Sequence, residues 1–523
     1  MHLFSKIKKY LPFINRNTYD KNFQNIITWT DVLSEKTINS YFIALVALML
    51  LIRIRLIFSY SLDLDGAEFT FVHYIQQMLS GKDLYMNPEE YPFSAVIYTP
   101  LYIYIVTGIC KLLNFDDIQD IHNIYVIGRI CSFLFVLLCI YTLWLFIKRC
   151  NGNQLQQSGI ICLFLALVTG HLYTTRPDSM KIAFFILYLY NYVVYFFYER
   201  KIKYLIGGCL FALLSIATKQ DAIIYILLFQ SILLFHLKSK EILIINILIT
   251  ASVTLLFIFF YFIFGTVCIV SLFYFNIQII GELIFSYNYL VIALAIVRHT
   301  PLLFCLLYII DRTEKRNIGS ILSINGVFAF AISTFFLLRP GAYLNYTYEM
   351  LIFSILSIIV YINQIQSTIE IRKFLTGLVM YGCFILLLNP IMKNYIPFLS
   401  DKKYQKQYTQ LMKIRTQILP YLENNEILFT PDLSLSLFFA DKNVIYGHEY
   451  HLDRLIDVHL QLASSSNLLL VSSKKYDDYF KNKEVQYILM EKKENTSKIV
   501  QTTYPDYTAY IDLDKYILYK ARE

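Results

Sequence analysis

Apolar runs, each able to cross the ~30 Å hydrocarbon layer with about 20 helical residues, follow one another from residue 41 to residue 391 of this 523-residue chain. They occupy 41–60, 124–147, 159–173, 181–198, 203–218, 221–237, 242–265, 288–310, 318–337, 347–363 and 374–391. Lipid offers no water to bare backbone groups, so each run must be a helix. The expected fold is an all-α polytopic membrane protein of about 11 transmembrane helices. Composition agrees: 57% of residues are hydrophobic and 16% are charged, against roughly a quarter charged in soluble domains. The 44 Tyr and 41 Phe against 2 Trp suit many helix ends at headgroup level.

Eight of the nine cysteines lie in apolar runs without CxxC spacing, and Cys150 borders a basic loop, so neither a disulfide framework nor a thiolate metal site is expected. The N-terminus carries Lys6, Lys8 and Lys9, but the first long apolar run starts only near Tyr41 and lacks a small-residue cleavage site. It reads as a retained first helix.

Loop charge sets the orientation. Every second junction is basic: the N-terminal segment, Lys148-Arg149, Glu199 to Lys203, His236 to Lys240, Arg312 to Arg316, and Arg372-Lys373. The positive-inside rule puts these in the cytoplasm, and the net charge of +8 is read as this topology signal, with no nucleic-acid partner. A further apolar run, Ala95 to Leu113, would invert every later junction if it crossed, so it is laid on the outer face as an interfacial or re-entrant segment. Three domains follow: a cytoplasmic segment 1–40, a transmembrane domain 41–394 with a first outer loop at about 61–123, and an outer tail 395–523. The stretch 266–287 is the weak point of the helix count. The tail is polar, with β-type runs at Glu426–Thr430, Asn443–Tyr446 and Val485–Met490 and a helix-like stretch Asp453–Leu462, which predicts a small α/β domain.

Most unusual polar residues then fall outside. Asp63, Asp65 and Glu68 follow the first span, and a helix over 65–80, closed by Gly81, would put Asp65 and Glu68 on one face. Alternatively, Asp65 merely caps that helix. Next come Tyr98-Thr99-Pro100, then Arg176-Pro177-Asp178, then Lys219-Gln220-Asp221, then Arg339 with Asn345, Tyr346 and Glu349, and Arg129 near the outer end of the second span. Each cation–carboxylate pair alone is equally well a local ion pair easing a helical turn. Together they describe a cavity with carboxylates for proton removal and Arg or Lys for a phosphate-bearing substrate.

The order of these segments resembles the integral-membrane glycosyltransferases of the C-type fold, in particular the family of protein O-mannosyltransferases, the lipid A aminoarabinose transferase and the bacterial galacturonic acid transferases. The resembling stretches are Asp65–Phe69, Gly81–Tyr85, Tyr98–Tyr102, Gly128-Arg129, Arg176–Asp178, Gly207-Gly208 with Thr218-Lys219, and Gly341–Glu349. The resemblance implies an inverting transfer of a sugar from a polyprenyl-phosphate donor to an acceptor hydroxyl on a lipid, glycan or protein at the outer face of a bacterial cytoplasmic membrane. It implies a catalytic base in the first outer loop. The spacing Asp65-Gly66-Ala67-Glu68 departs from the family's adjacent Asp-Glu and leaves Asp63, Asp65 and Glu68 as candidates. Arg176, Lys219 and Arg339 are the candidates for the donor phosphate, with Asp178, Asp221, Asn345, Tyr346, Glu349, Tyr98 and Arg129 around it. No cofactor is expected. Some relatives place a divalent cation between acidic loops, for which Asp178 or Asp221 would serve, but a metal is not the favoured reading. A lipid or polysaccharide flippase, a polysaccharide polymerase or ligase, and a purely structural scaffold are the rival classes. A flippase would carry its ionisable groups near mid-bilayer, whereas here the span interiors hold only Arg53, Arg55 and Arg298-His299.

Overall fold

The computed structural model describes residues 34–64, 67–87, 91, 96–115, 117–168, 172–274, 289–314, 316–337, 344–365, 367–388, 401–423, 425–446, 478–492, 500 and 504–522. Helix α1 spans Glu35–Ile57, and the first loop holds α2 (Glu68–Leu79) and α3 (Leu101–Leu112). Then come α4 (Ile121–Arg149), α5 (Gln154–Leu167), α6 (Asp178–Phe197), α7 (Ile202–Thr218), α8 (Ala222–Leu237) and α9 (Lys240–Ile269). They are followed by α10 (Tyr289–Arg312), α11 (Ile318–Phe336), α12 (Tyr348–Ile362) and α13 (Thr368–Leu388).

A helix thus stands in every expected run. Among the described residues, 7 helices are long and apolar enough to cross a membrane, and α5, α7 and α8 are shorter apolar helices. Local chemistry sets the boundaries. Ser34 caps α1, Asp120 caps α4, and Asn153 with Gln156 forms a capping box on α5. The short α5 ends against two arginines from other helices: Arg53 Nη2 donates to Leu165 O at 2.7 Å and Arg298 Nη2 to Leu167 O at 2.5 Å. Cations at orphan carbonyls suit the negative end of a helix dipole, which accounts for ionisable groups inside two spans. Of those seven, the helix through Leu344–Ile362 is the most enclosed, at 89% buried.

The first-loop run 95–113 yields only the 12-residue α3 after Pro100, about 18 Å at 1.5 Å per residue and too short to cross. The helix expected over 65–80 starts instead at Glu68, and Gly81 closes it with φ +78°. Residues 275–288, including much of the uncertain stretch, lie outside the described residues.

The tail opens with α14 (Lys402–Ile418) and continues with strands β1 (Ile427–Thr430), β2 (Asn443–Tyr446), β3 (Val485–Glu491), β4 (Tyr507–Asp512) and β5 (Tyr516–Ala521). The sheet order is β2-β1-β3-β5-β4, parallel across β2, β1 and β3 and antiparallel from β3 to β5 and β4. The three expected strands stand where the β-type runs put them, and the C-terminal hairpin β4–β5 is added to them. The helix expected over Asp453–Leu462 lies outside the described residues. Leu411, Ile414, Ile418, Leu437 and Phe438 share one apolar core with Val72, Ile75 and Ile121 of the first loop and α4, so the tail sits on that loop. Gln76 Nε2 reinforces the contact, donating to Leu437 O at 3.1 Å.

Candidate active site

Helix directions place the unusual polar residues at one end of the bundle. The end of α1, the starts of α4, α6, α8 and α12, and the end of α7 meet there. Glu199, just past α6, pairs with Arg149 and Lys201 at the opposite end.

The acidic segment is held first. Glu68, at the start of α2, is fully buried and faces Arg129 of α4, also fully buried. Arg129 Nε donates to Glu68 Oε1 at 2.9 Å and Nη2 to Oε2 at 2.7 Å. The Thr175 amide adds a bond to Oε1 at 2.7 Å and the Leu64 amide one to Oε2 at 3.0 Å. Both oxygens of Glu68 are therefore committed. Arg129, expected around the donor phosphate, spends two of its three remaining N–H donors on Ser59 O at 2.8 Å and Ser61 O at 2.7 Å. A guanidinium with its fork on one carboxylate and further bonds on two carbonyls has little left for a phosphate. Asp63 Oδ1 accepts the Glu68 amide, the first of α2, at 3.3 Å. Asp65 lies outside the described residues, as does Arg339.

Gly128 permits this arrangement. A Cβ there would meet Thr175 Cγ2 at 2.3 Å and Oγ1 at 2.7 Å, so only glycine lets α4 approach the Thr174–Arg176 turn closely enough for Thr175 to reach Glu68.

That turn leads into a second, larger charge cluster. Asp178, fully buried at the start of α6, accepts from Arg176 Nε at 3.2 Å, Lys219 Nζ at 2.9 Å and Asn345 Nδ2 at 3.2 Å. Lys219 also lies 3.7 Å from Asp221 and 5.0 Å from the centre of the Tyr346 ring, with the Tyr98 ring at 5.9 Å. Burial opposes charge on Lys219, but Asp178 and Asp221 outweigh it and hold its pKa above the usual lysine value. Lys181, one turn into α6, completes the cluster, 2.5 Å from Glu349 Oε1 and 3.2 Å from Asp221 Oδ2.

Arg176, Asp178, Lys219, Asp221, Asn345, Tyr346, Glu349 and Tyr98 are thus brought together, with Arg176 one residue from the Thr175 that binds Glu68. The sequence reading missed Lys181 because it opens an apolar run. Its signal was a lysine three residues after Asp178, one helical turn away on the same face. Arg176, Lys181 and Lys219 balance Asp178, Asp221 and Glu349, charge for charge. Among the described residues no group of three His, Cys, Asp or Glu side chains could hold a metal ion.

No family model and no curated protein sequence matches the chain. Solved structures do. ArnT from Cupriavidus metallidurans bound to undecaprenyl phosphate superposes with a TM-score of 0.61 and 11% identity, over 92% of this chain and 98% of that one. Its apo state gives 0.53 and 11%, over 92% and 97%. The Archaeoglobus fulgidus oligosaccharyltransferase tethered with an acceptor peptide gives 0.54 and 10%, over 92% and 74%. Both are C-type glycosyltransferases. This chain has their fold. At this identity the likeness speaks for architecture, and the chemistry must be argued from the residues.

Proposed function

We propose that the protein transfers a sugar from a polyprenyl-phosphate donor to an acceptor hydroxyl at the outer membrane face, with inversion at the anomeric carbon. The observation that carries this reading is the junction of the two clusters: the Thr174–Asp178 turn binds the acidic segment through Thr175 and the cations through Asp178. In this reading the segment that carries the base and the cations that receive the phosphate are joined by one turn. The superposed ArnT bound to undecaprenyl phosphate supports a lipid phosphate as the group those cations receive.

In this mechanism a carboxylate takes the proton of the acceptor hydroxyl as its oxygen bonds to the anomeric carbon. The bond from that carbon to the phosphate oxygen breaks on the opposite face, and its electron pair leaves with the polyprenyl phosphate. That leaving group is already a stable anion, so it needs cations more than a general acid. Lys219 and Arg176 supply them by exchanging part of their hold on Asp178 for phosphate oxygens. Glu68 is occupied by four donors, and Asp63 Oδ1 accepts the Glu68 amide. The base is therefore assigned to Asp65. No cofactor enters the scheme, and a divalent cation at Asp178 would have to displace two protein cations; transfer is expected to persist in EDTA.

The test is transfer in membranes, with a panel of polyprenyl-phosphate sugars and acceptors, by wild type, Asp65→Asn and Asp63→Asn. Asp65→Asn should insert normally and lose about 10²–10⁴-fold in rate, and Asp63→Asn much less. Full activity in both variants would remove the carboxylate mechanism. Substrate movement with no covalent product would replace the transferase by a flippase.

A further inference from the structure

The acidic segment is strung between two buried charges of opposite sign that come from distant parts of the chain. Arg129 grips the carbonyls of Ser59 and Ser61 from the membrane domain. From the tail, Asp401 grips the same segment by its donors: Ser59 Oγ donates to Asp401 Oδ1 at 2.7 Å, and the Tyr60 amide lies 3.3 and 3.2 Å from the two carboxylate oxygens.

Asp401 is 1% exposed and directly precedes α14. An Asp in that place ordinarily caps its own helix. Here no such bond forms, and the residue sits at φ +49°, outside the conformations most L-residues adopt. A forgone cap and a left-handed backbone persist where the surroundings demand them, and such outliers gather at functional sites. The surroundings are specific. The Tyr60 ring stacks on His122 at 3.9 Å and 3°, and Tyr408 of α14 closes on their edges at 5.5 and 6.4 Å. Ser59 Oγ then accepts the Ser61 amide at 3.2 Å, and Ser61 Oγ donates to Asp63 O at 3.0 Å. A chain of hydrogen bonds runs from the tail to the first of the three acids. Apolar contacts of the tail fall on α2 and α4 and, through Tyr404, on Leu56 and Leu64, but none of them reaches the polar backbone groups that Asp401 binds.

We propose that Asp401 is a positioning residue: through Ser59 and Tyr60 the tail holds the backbone of residues 59–64, the lead into the acidic segment, against the pull of Arg129. The inference deepens the sugar-transfer reading and rests on it for its kinetic consequence.

Hydrogen exchange of the full-length protein in lipid nanodiscs, together with transfer kinetics, tests it on Asp401→Ala, Asp401→Asn and Ser59→Ala. Amides 59–64 should exchange at least about tenfold faster in Asp401→Ala, less so in Asp401→Asn, with β1 and β3 as protected as in wild type. kcat should fall by about 10–100-fold while the donor KM stays put, and Asp401→Asn should recover part of it. Unchanged exchange at 59–64 in Asp401→Ala overturns the proposal. If that variant also loses protection in β1 and β3, Ser59→Ala decides, because it removes the Ser59 Oγ bond to Asp401 without touching the tail and leaves only the Tyr60 amide on that carboxylate; unchanged exchange there overturns the proposal. Faster exchange in the variants of a protein that transfers no sugar supports the clamp and sinks the transferase reading instead.

Discussion

Arg129 Nη2 and Glu68 Oε2 are 2.7 Å apart with neither side chain exposed to solvent. The pair joins the first loop to α4, and its worth lies in each partner's dependence on the other. Removing one member of a buried pair strands a charge, at a cost of about 3–5 kcal/mol. Arg129→Met and Glu68→Gln should each lower the thermal stability of the purified protein sharply, and the double variant should be more stable than the sum of the two losses predicts. Normal stability in Glu68→Gln, with activity lost, would return Glu68 to the role of base.

Lys219 is argued to exchange Asp178 for the lipid phosphate. Lys219→Gln should then weaken inhibition by free polyprenyl phosphate by about tenfold, equivalent to about 1.4 kcal/mol. The acceptor KM should stay near its wild-type value. Equal inhibition of wild type and variant would remove Lys219 from the donor site.

Lys181 ties Glu349 to Asp221, at 2.5 and 3.2 Å. Its removal leaves two carboxylates together, with Lys219, 3.7 Å from Asp221, as the one cation among the described residues left to offset them. Lys181→Met should therefore fold poorly, and Glu349→Gln in the same chain should restore much of the yield. A double-mutant cycle on melting temperature should give a coupling of about 0.5–3 kcal/mol. Additive losses would mean that Lys181 and Glu349 do not act as a pair.

The positions of the helices were legible because lipid enforces a simple rule: an apolar run that crosses must be helical. The same rule made Lys148-Arg149 and Arg176-Pro177-Asp178 readable as opposite ends. Partners were less legible. Arg129 looked like a phosphate ligand because sequence shows a charge near a helix end without showing what faces it, and its carboxylate stands in another helix, 61 residues away. Lys181 was hidden for a related reason, since a lysine neutralised inside a bundle leaves the surrounding run apolar. Asp401 is three hundred and more residues from Ser59, and only the docking of the tail brings them together. The β4–β5 hairpin escaped notice because Tyr507–Asp512 alternates polar and apolar residues too irregularly to stand out.

Gly128 offers the sharpest test of how the two clusters are joined. It lies next to Arg129, and the missing Cβ is what lets Thr175 come close enough to donate to Glu68. In Gly128→Ala the new methyl must push Thr175 away, since 2.3 Å is far inside contact distance. Overpacking of this kind costs about 1–3 kcal/mol, but the larger effect should be functional: the Thr175 amide bond to Glu68 lengthens, and the turn that leads to Arg176 and Asp178 shifts with it. Transfer should fall more than stability does. Trimming the obstacle with Thr175→Ala removes the two atoms named above and should restore part of the rate to Gly128→Ala while leaving the Thr175 backbone donor in place. Should Gly128→Ala melt and transfer like wild type, the close approach of α4 to this turn would not be what couples the acids to the cations.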